Sequence, residues 1–237
     1  EYYFWQCGLL LNKYTYRKGR NGIKHSPSGS LMIKLIDRLP FKLTEQQNTA
    51  LLEIISDMES DIPMQRLLQG DVGSGKTIIA AIALVKTIEN GYQGALMAPT
   101  EILAEQHYHF FLNLLQPLGI KVELLTGKVT GSLRGQIKER IAKGQSNIVI
   151  GTHTLIQEYI QFYRLGLVVT DEQHRFGVKQ RAMLEEKGIR PDVLVMTATP
   201  IPRTMALTIY SDLDVTTIRG LPPGRQPIRT FLVDSSF

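Results

Sequence analysis

Cysteine is almost absent: Cys7 is the only one in 237 residues. No disulfide can form within the chain, and no metal can be held by paired thiolates. The five histidines form no His-x-x-x-His pair, and His107 and His109, two apart on an expected helix, face different ways. No apolar run reaches the roughly 18–20 residues of a membrane-spanning helix. Residues 1–18 (EYYFWQCGLLLNKYTYRK) lack the basic-then-apolar order and cleavage site of a signal peptide. A cytoplasmic protein with no membrane partner is the expectation. An acidic excess is lacking too. The balance of 27 Lys+Arg against 22 Asp+Glu gives a net charge of +5, which permits a polyanionic partner without requiring one.

What is present suits one hydrophobic core: 43% hydrophobic and 21% charged residues. Residues 1–18 read as helical and partly apolar, with Trp5, Leu9 and Leu10 able to share a face. The stretch GRNGIKHSPSGS at 19–30 reads as loop, and a short helix is predicted at 31–38. Thr44 caps a helix expected at 45–59, with Gln47 three residues in, as a capping box requires. From residue 66 strands and helices alternate. Strands are predicted at 66–69, 94–98, 121–125, 147–150, 166–170 and 192–197. Helices are predicted at 76–89, 101–116, 132–143, 178–187 and 202–210. Short, mostly apolar strands alternating with helices imply an open α/β fold with a mostly parallel sheet and helices on both faces. Residues 221–227 read as a linker, with a further strand starting near 228–233.

Two motifs carry chemistry. Residues 70–77 read GDVGSGKT, a complete phosphate-binding loop. Gly70, Gly73 and Gly75 permit the tight turns that aim backbone N–H groups, including that of Ser74, at phosphates. The loop opens a helix whose N-terminus attracts negative charge. Lys76 is expected at the β- and γ-phosphates and the Thr77 hydroxyl on Mg²⁺. The second motif, DEQH at 171–174, follows the apolar run LGLVV. Adjacent carboxylates at the end of a buried strand are costly unless water, metal or cations receive them. Asp171 is expected to bind Mg²⁺ through water, and Glu172 to polarise the attacking water. His174 fits a polar contact near the γ-phosphate. The pair suggests a nucleoside triphosphatase. The plainer readings are a glycine-rich turn that binds nothing at 70–77, a solvated turn of two carboxylates at 171–172 and, for TATPIPRT at 197–204, a helix entry with Pro202 at its start and Thr199 as a local cap.

With those motifs in place, the ordered set LPFKLTEQQ (39–47), GDVGSGKT, APTEILAEQH (98–107), LLTG (124–127), GTHTLI (151–156), DEQHRFG (171–177) and TATPIPRT (197–204) resembles superfamily 2 helicases. The resemblance covers most of 35–237. It implies a RecA-like P-loop NTPase fold, ATP and Mg²⁺ as cofactors, and work on double-stranded or branched DNA such as stalled forks and Holliday junctions. It divides the chain into residues 1–38, an extension from a wedge domain, residues 39–220, a first motor lobe, and residues 221–237, a linker into a second lobe. Wedge and second lobe would be partners missing from this chain. Without the second lobe's arginines the isolated lobe is expected to hydrolyse ATP poorly, since such a group supplies on the order of 10³–10⁵ in rate elsewhere.

The resemblance also implies residue roles. Gln47 would read adenine, with Phe41 nearby. His174, Thr197 and Thr199 would couple nucleotide state to lobe motion, and Arg203 would lie near the interlobe region. Pro99, Thr100, Glu101, Gln106, His107, Thr126, Gly127, Thr152 and His153 fall in segments that resemble DNA-facing motifs. The alternatives are another translocase of the superfamily, such as a transcription–repair coupling factor, an RNA helicase or a restriction translocase, and a binding module that does not hydrolyse nucleotide.

Overall fold

The computed structural model describes residue 8 and residues 22–27, 29–171, 183–199 and 213–219. Its centre is a seven-stranded sheet of β1 (Gln65–Gly70), β2 (Gln93–Met97), β3 (Val122–Leu125), β4 (Ile148–Gly151), β5 (Leu165–Asp171), β6 (Asp192–Thr197) and β7 (Asp214–Ile218). The spatial order is β3-β4-β2-β5-β6-β1-β7, and every pairing is parallel. All strand C-termini therefore lie along one edge, where loops that bind ligands collect in open α/β sheets.

Neighbouring residues of a strand point to opposite faces, and here both faces are buried. Leu68, Leu96, Ile150, Val169 and Leu194 meet one apolar layer. Leu67, Ala95, Val149, Val168 and Val193 meet the other. This is why the strands read as continuous apolar runs rather than alternating ones. The first layer is built by α1 (Ser30–Asp37), α2 (Glu45–Met58), α3 (Lys76–Glu89) and α4 (Glu101–Leu115). The second includes Ile137 and Ile141 of α5 (Gly131–Ala142), and Leu155 and Ile156 of a 3₁₀ turn at His153–Ile156.

The six predicted strands are present within a residue or two of their expected bounds, and the capping box is made. Thr44 Oγ1 accepts from the Gln47 amide at 3.2 Å, and Gln47 Oε1 accepts from the Thr44 amide at 2.9 Å. β7 was not expected from the sequence. Its residues DVTTI are mixed in polarity and only half enclosed, so no run of apolar side chains marks it. It is an edge strand fixed by register against β1 (Arg66↔Asp214 to Gly70↔Ile218) and by Arg66, which bonds Thr216, Asp57 and Glu53. Residue 8 apart, the helix predicted at 1–18 lies outside the described residues, as do the helix at 202–210, part of the one at 178–187 and the strand near 228–233.

Residues 22–27 and 29–37, assigned from sequence to an N-terminal extension, lie against the sheet and its first helical layer. Gly22 and His25 donate backbone bonds to Asp61 and Met58. His25 Nε2 meets Asp192 Oδ2 at 3.0 Å with both side chains fully buried. The fully buried Lys86 ammonium bridges the Ser26 carbonyl (2.9 Å) and Glu59 Oε1 (2.7 Å). The apolar residues Ile23, Met32 and Leu35 are buried as well.

The C-terminal end of β4 is closely built. A Cβ on Gly151 would lie 2.2 Å from the Leu125 carbonyl oxygen of β3, and backbone cannot rotate aside as a side chain can. Gly151→Ala is expected to cost about 1–3 kcal/mol, as overpacking of an enclosed site does. A lowered urea midpoint with an unchanged denaturant slope would show it.

Candidate functional site

The phosphate-binding loop leaves β1 at Gly70 and enters α3 at Lys76. Gly73 and Gly75 take left-handed φ values of 83° and 92°, conformations that cost other L-residues about 1–2 kcal/mol. At Gly75 there is a second constraint, since a Cβ would sit 2.3 Å from Gln47 Nε2. That amide donates to the Ser74 carbonyl at 2.8 Å, so the Gln47 that caps α2 also fixes the loop. The Lys76 ammonium folds back over the loop, donating to the carbonyls of Gly70 (2.7 Å) and Asp71 (2.9 Å). The amides of Ile78 and Ile79 bond the Gly75 carbonyl, so the helical ladder of α3 begins at the last glycine of the loop, and the N-terminus of the helix, which attracts negative charge, lies there. The Ser74 hydroxyl is buried with no hydrogen-bond partner among the described residues. This cradle fits a phosphate chain: a cation, helix-end amides and an unsatisfied hydroxyl surround it. Gly75→Ala is expected to weaken ADP binding at least about tenfold, from left-handed strain and the displaced Gln47 together. Calorimetric titration with ADP would check it.

Beside the loop opens a cavity of about 450 Å³, lined in part by Phe41, Thr44, Gln47, Lys76, Thr77 and Phe110. Its size suits a small organic ligand. Phe41 and Phe110 are 47% and 38% exposed, presenting ring surface to the opening. Phe110 was not singled out from sequence. It lies on α4, and nothing in the chain order predicts that α4 reaches the entry of α3.

Asp171 ends β5 and is placed by register. Asp171 pairs with Met196 of β6, and Met196 pairs with Leu68 of β1. Thr197 pairs with Gln69, one residue before the loop. Asp171, Thr197 and the loop thus occupy the same edge of three adjacent strands, and two strand spacings amount to roughly 10 Å. The Thr197 hydroxyl accepts from the Thr199 amide at 3.2 Å. Thr197 is buried and Thr199 exposed. Glu172, His174 and Arg203 lie outside the described residues.

The remaining expected positions occupy the other half of the same edge. Pro99 and Thr100 follow β2, Thr126 and Gly127 follow β3, and Thr152 and His153 follow β4. Thr100 caps α4, accepting from the Leu103 amide at 3.3 Å. Thr126 and Thr152 are buried, and His153 is exposed. Glu101 and Glu105 pair with Lys128 at 3.7 and 3.1 Å, joining the start of α4 to the loop after β3. Gln106 is exposed on α4. His107 is turned inward, with Nε2 2.8 Å from Asp171 Oδ2. The edge is therefore divided, with β5, β6 and β1 carrying the phosphate loop and its acid and β3, β4 and β2 carrying the other strand-end motifs.

The comparisons agree with this arrangement. ATP-dependent DNA helicase RecG of Synechocystis sp. is 50% identical over 233 residues, which is 98% of this chain and 28% of the relative. RecG of Bacillus subtilis is 49% identical over 233 residues, 98% of this chain and 34% of the relative. A structure of RecG bound to a three-way DNA junction superposes with a TM-score of 0.81 at 46% identity, covering 94% of this chain and 31% of that one. This chain thus spans about a third or less of the relatives it matches. The DEAD/DEAH box helicase family matches residues 44–208, which include the phosphate loop, Asp171 and the strand-end motifs. With a parallel sheet gathering those residues along one edge, the chain belongs to the DEAD/DEAH box helicase family.

Proposed function

We propose that these residues form the first RecA-like motor lobe of a RecG-type ATP-dependent DNA helicase that remodels branched DNA, stalled forks and Holliday junctions included. The observation that carries the reading is the shared edge of β5, β6 and β1, which brings Asp171 and Thr197 to the loop that holds Lys76. Thr77 and Asp171 would hold Mg²⁺, which when bound supplies positive charge to the phosphates. Lys76 exchanges its loop carbonyls for β- and γ-phosphate oxygens. Gln47 and Phe41, both at the cavity, take the adenine. Glu172 orients water for in-line attack. A second lobe and a wedge domain outside these residues complete the machine, and His174, Thr197, Thr199 and Arg203 pass nucleotide state to it.

The strand ends of β2, β3 and β4 supply threonines, a histidine and backbone amides that suit sugar–phosphate contacts, so tracking would be independent of base sequence. The half-identity to RecG proteins and the superposition on a junction-bound RecG support branched DNA over RNA. The test is ATP turnover by the full-length polypeptide with three-way junctions, linear duplex and RNA. The largest stimulation is expected from junctions. Stimulation by RNA alone would overturn the assignment.

A further inference from the structure

We propose that His107 is a positioning residue for the metal-holding carboxylate: its imidazole fixes Asp171 and ties α4, with the strand-end motif that opens it, to the nucleotide half of the site. The proposal rests on the reading of Asp171 given above. The imidazole Nε2 lies 2.8 Å from Asp171 Oδ2, with the two side chains only 12% and 16% exposed. A carboxylate accepts, so Nε2 carries the hydrogen. One carboxylate oxygen is thereby engaged from the α4 side, which sets the plane of the group and the direction in which its other oxygen is offered.

The imidazole is itself held. Its ring stands edge-on to Phe111, with centroids 6.5 Å apart and planes at 72°. Phe111 lies one helical turn further along α4 and is completely buried in the first apolar layer. At its other end α4 is anchored by the Thr100 cap and by Lys128. His107 is therefore the contact at which a helix rooted beside β2 and β3 crosses to the end of β5. Carboxylates that hold metals directly or through water are oriented by such outer partners, whose loss costs about 10–100-fold in metal affinity or activity.

The test uses the full-length polypeptide and three variants of this position. His107→Ala removes ring and donor, His107→Phe keeps the ring against Phe111 without the donor, and His107→Gln keeps a donor. Binding of a fluorescent ADP analogue is titrated with Mg²⁺ and, separately, in EDTA. His107→Ala and His107→Phe are expected to raise the Mg²⁺ concentration needed for tight binding by about 10–100-fold, with affinity in EDTA unchanged and His107→Gln restoring most of the loss. Rescue by Phe instead of Gln would make the role steric and overturn the proposal, as would equal weakening with and without Mg²⁺. Asp171→Asn separates the two layers of inference. If it shifts the Mg²⁺ requirement while His107→Ala does not, only the role of His107 fails. If Asp171→Asn shifts nothing, the metal-site reading fails and this proposal with it.

Discussion

Lys76→Ala is expected to abolish measurable ATP turnover in the full-length polypeptide, by a factor on the order of 10²–10³, the loss that follows removal of one preorganised donor from a site of developing charge. The ammonium is held by the Gly70 and Asp71 carbonyls. It thus lies over the loop itself, and no other side chain of the loop GDVGSGKT carries a positive charge. Lys76 acts on bound nucleotide and on the transition state alike, so ADP affinity and turnover should fall together. Glu172→Gln is the counterpart. It removes the base-like carboxylate but leaves the loop intact, so turnover should fall while nucleotide is retained. Radiometric ATPase assays beside equilibrium binding distinguish the two. Equal loss of binding in both variants, with folding preserved, would defeat the division of roles.

Asp192→Ala is expected to cost about 2–6 kcal/mol of stability, because it leaves two buried polar groups, the His25 ring nitrogen and the Met64 amide, without their partner at about 1–3 kcal/mol each. Asp192 Oδ2 meets His25 Nε2 at 3.0 Å, and Oδ1 accepts the Met64 amide at 2.7 Å. The residue starts β6 and is completely buried. Burial pushes the Asp192 carboxyl up from its ordinary range, outweighing the opposing pull of His25 and the Met64 amide. The folded state thus holds this proton more tightly than the unfolded chain does. This group's contribution to stability is greatest below the ordinary carboxylate range and declines as pH rises through its elevated folded value. Asp192→Asn, which keeps the shape and cannot ionise, should remove that decline. Urea midpoints measured from mildly acidic to neutral pH would show wild type losing stability relative to this variant. A parallel pair of curves would refute the assignment.

Much of the fold was legible because two periodic signals are local. Runs such as LGLVV and DVLVM can be buried on both faces only in a covered parallel sheet, and α2 declares its start through Thr44 and Gln47. β7 was not legible. DVTTI has no pattern of its own and is a strand because β1 presents an unpaired edge at the register Arg66↔Asp214. The stretch at 19–30 read as loop, and its described residues before Ser30, where α1 begins, are irregular, yet His25 is buried. Composition registers backbone irregularity and is blind to a partner 167 residues away.

By itself the sequence determined the chemistry offered: a loop whose glycines, lysine and threonine suit phosphate, an acid at a strand end, and the order of strands and helices. Those are properties of neighbours in the chain, and backbone sterics and helix-end amides act over a few residues. Only the tertiary structure decided that α4 brings Phe110 to the cavity and His107 to Asp171, that Gln47 braces the loop through Ser74, and that His25 meets Asp192 at the start of β6. Such contacts depend on strand order and helix crossing. Burial of the whole chain selects these together, and no segment encodes them alone.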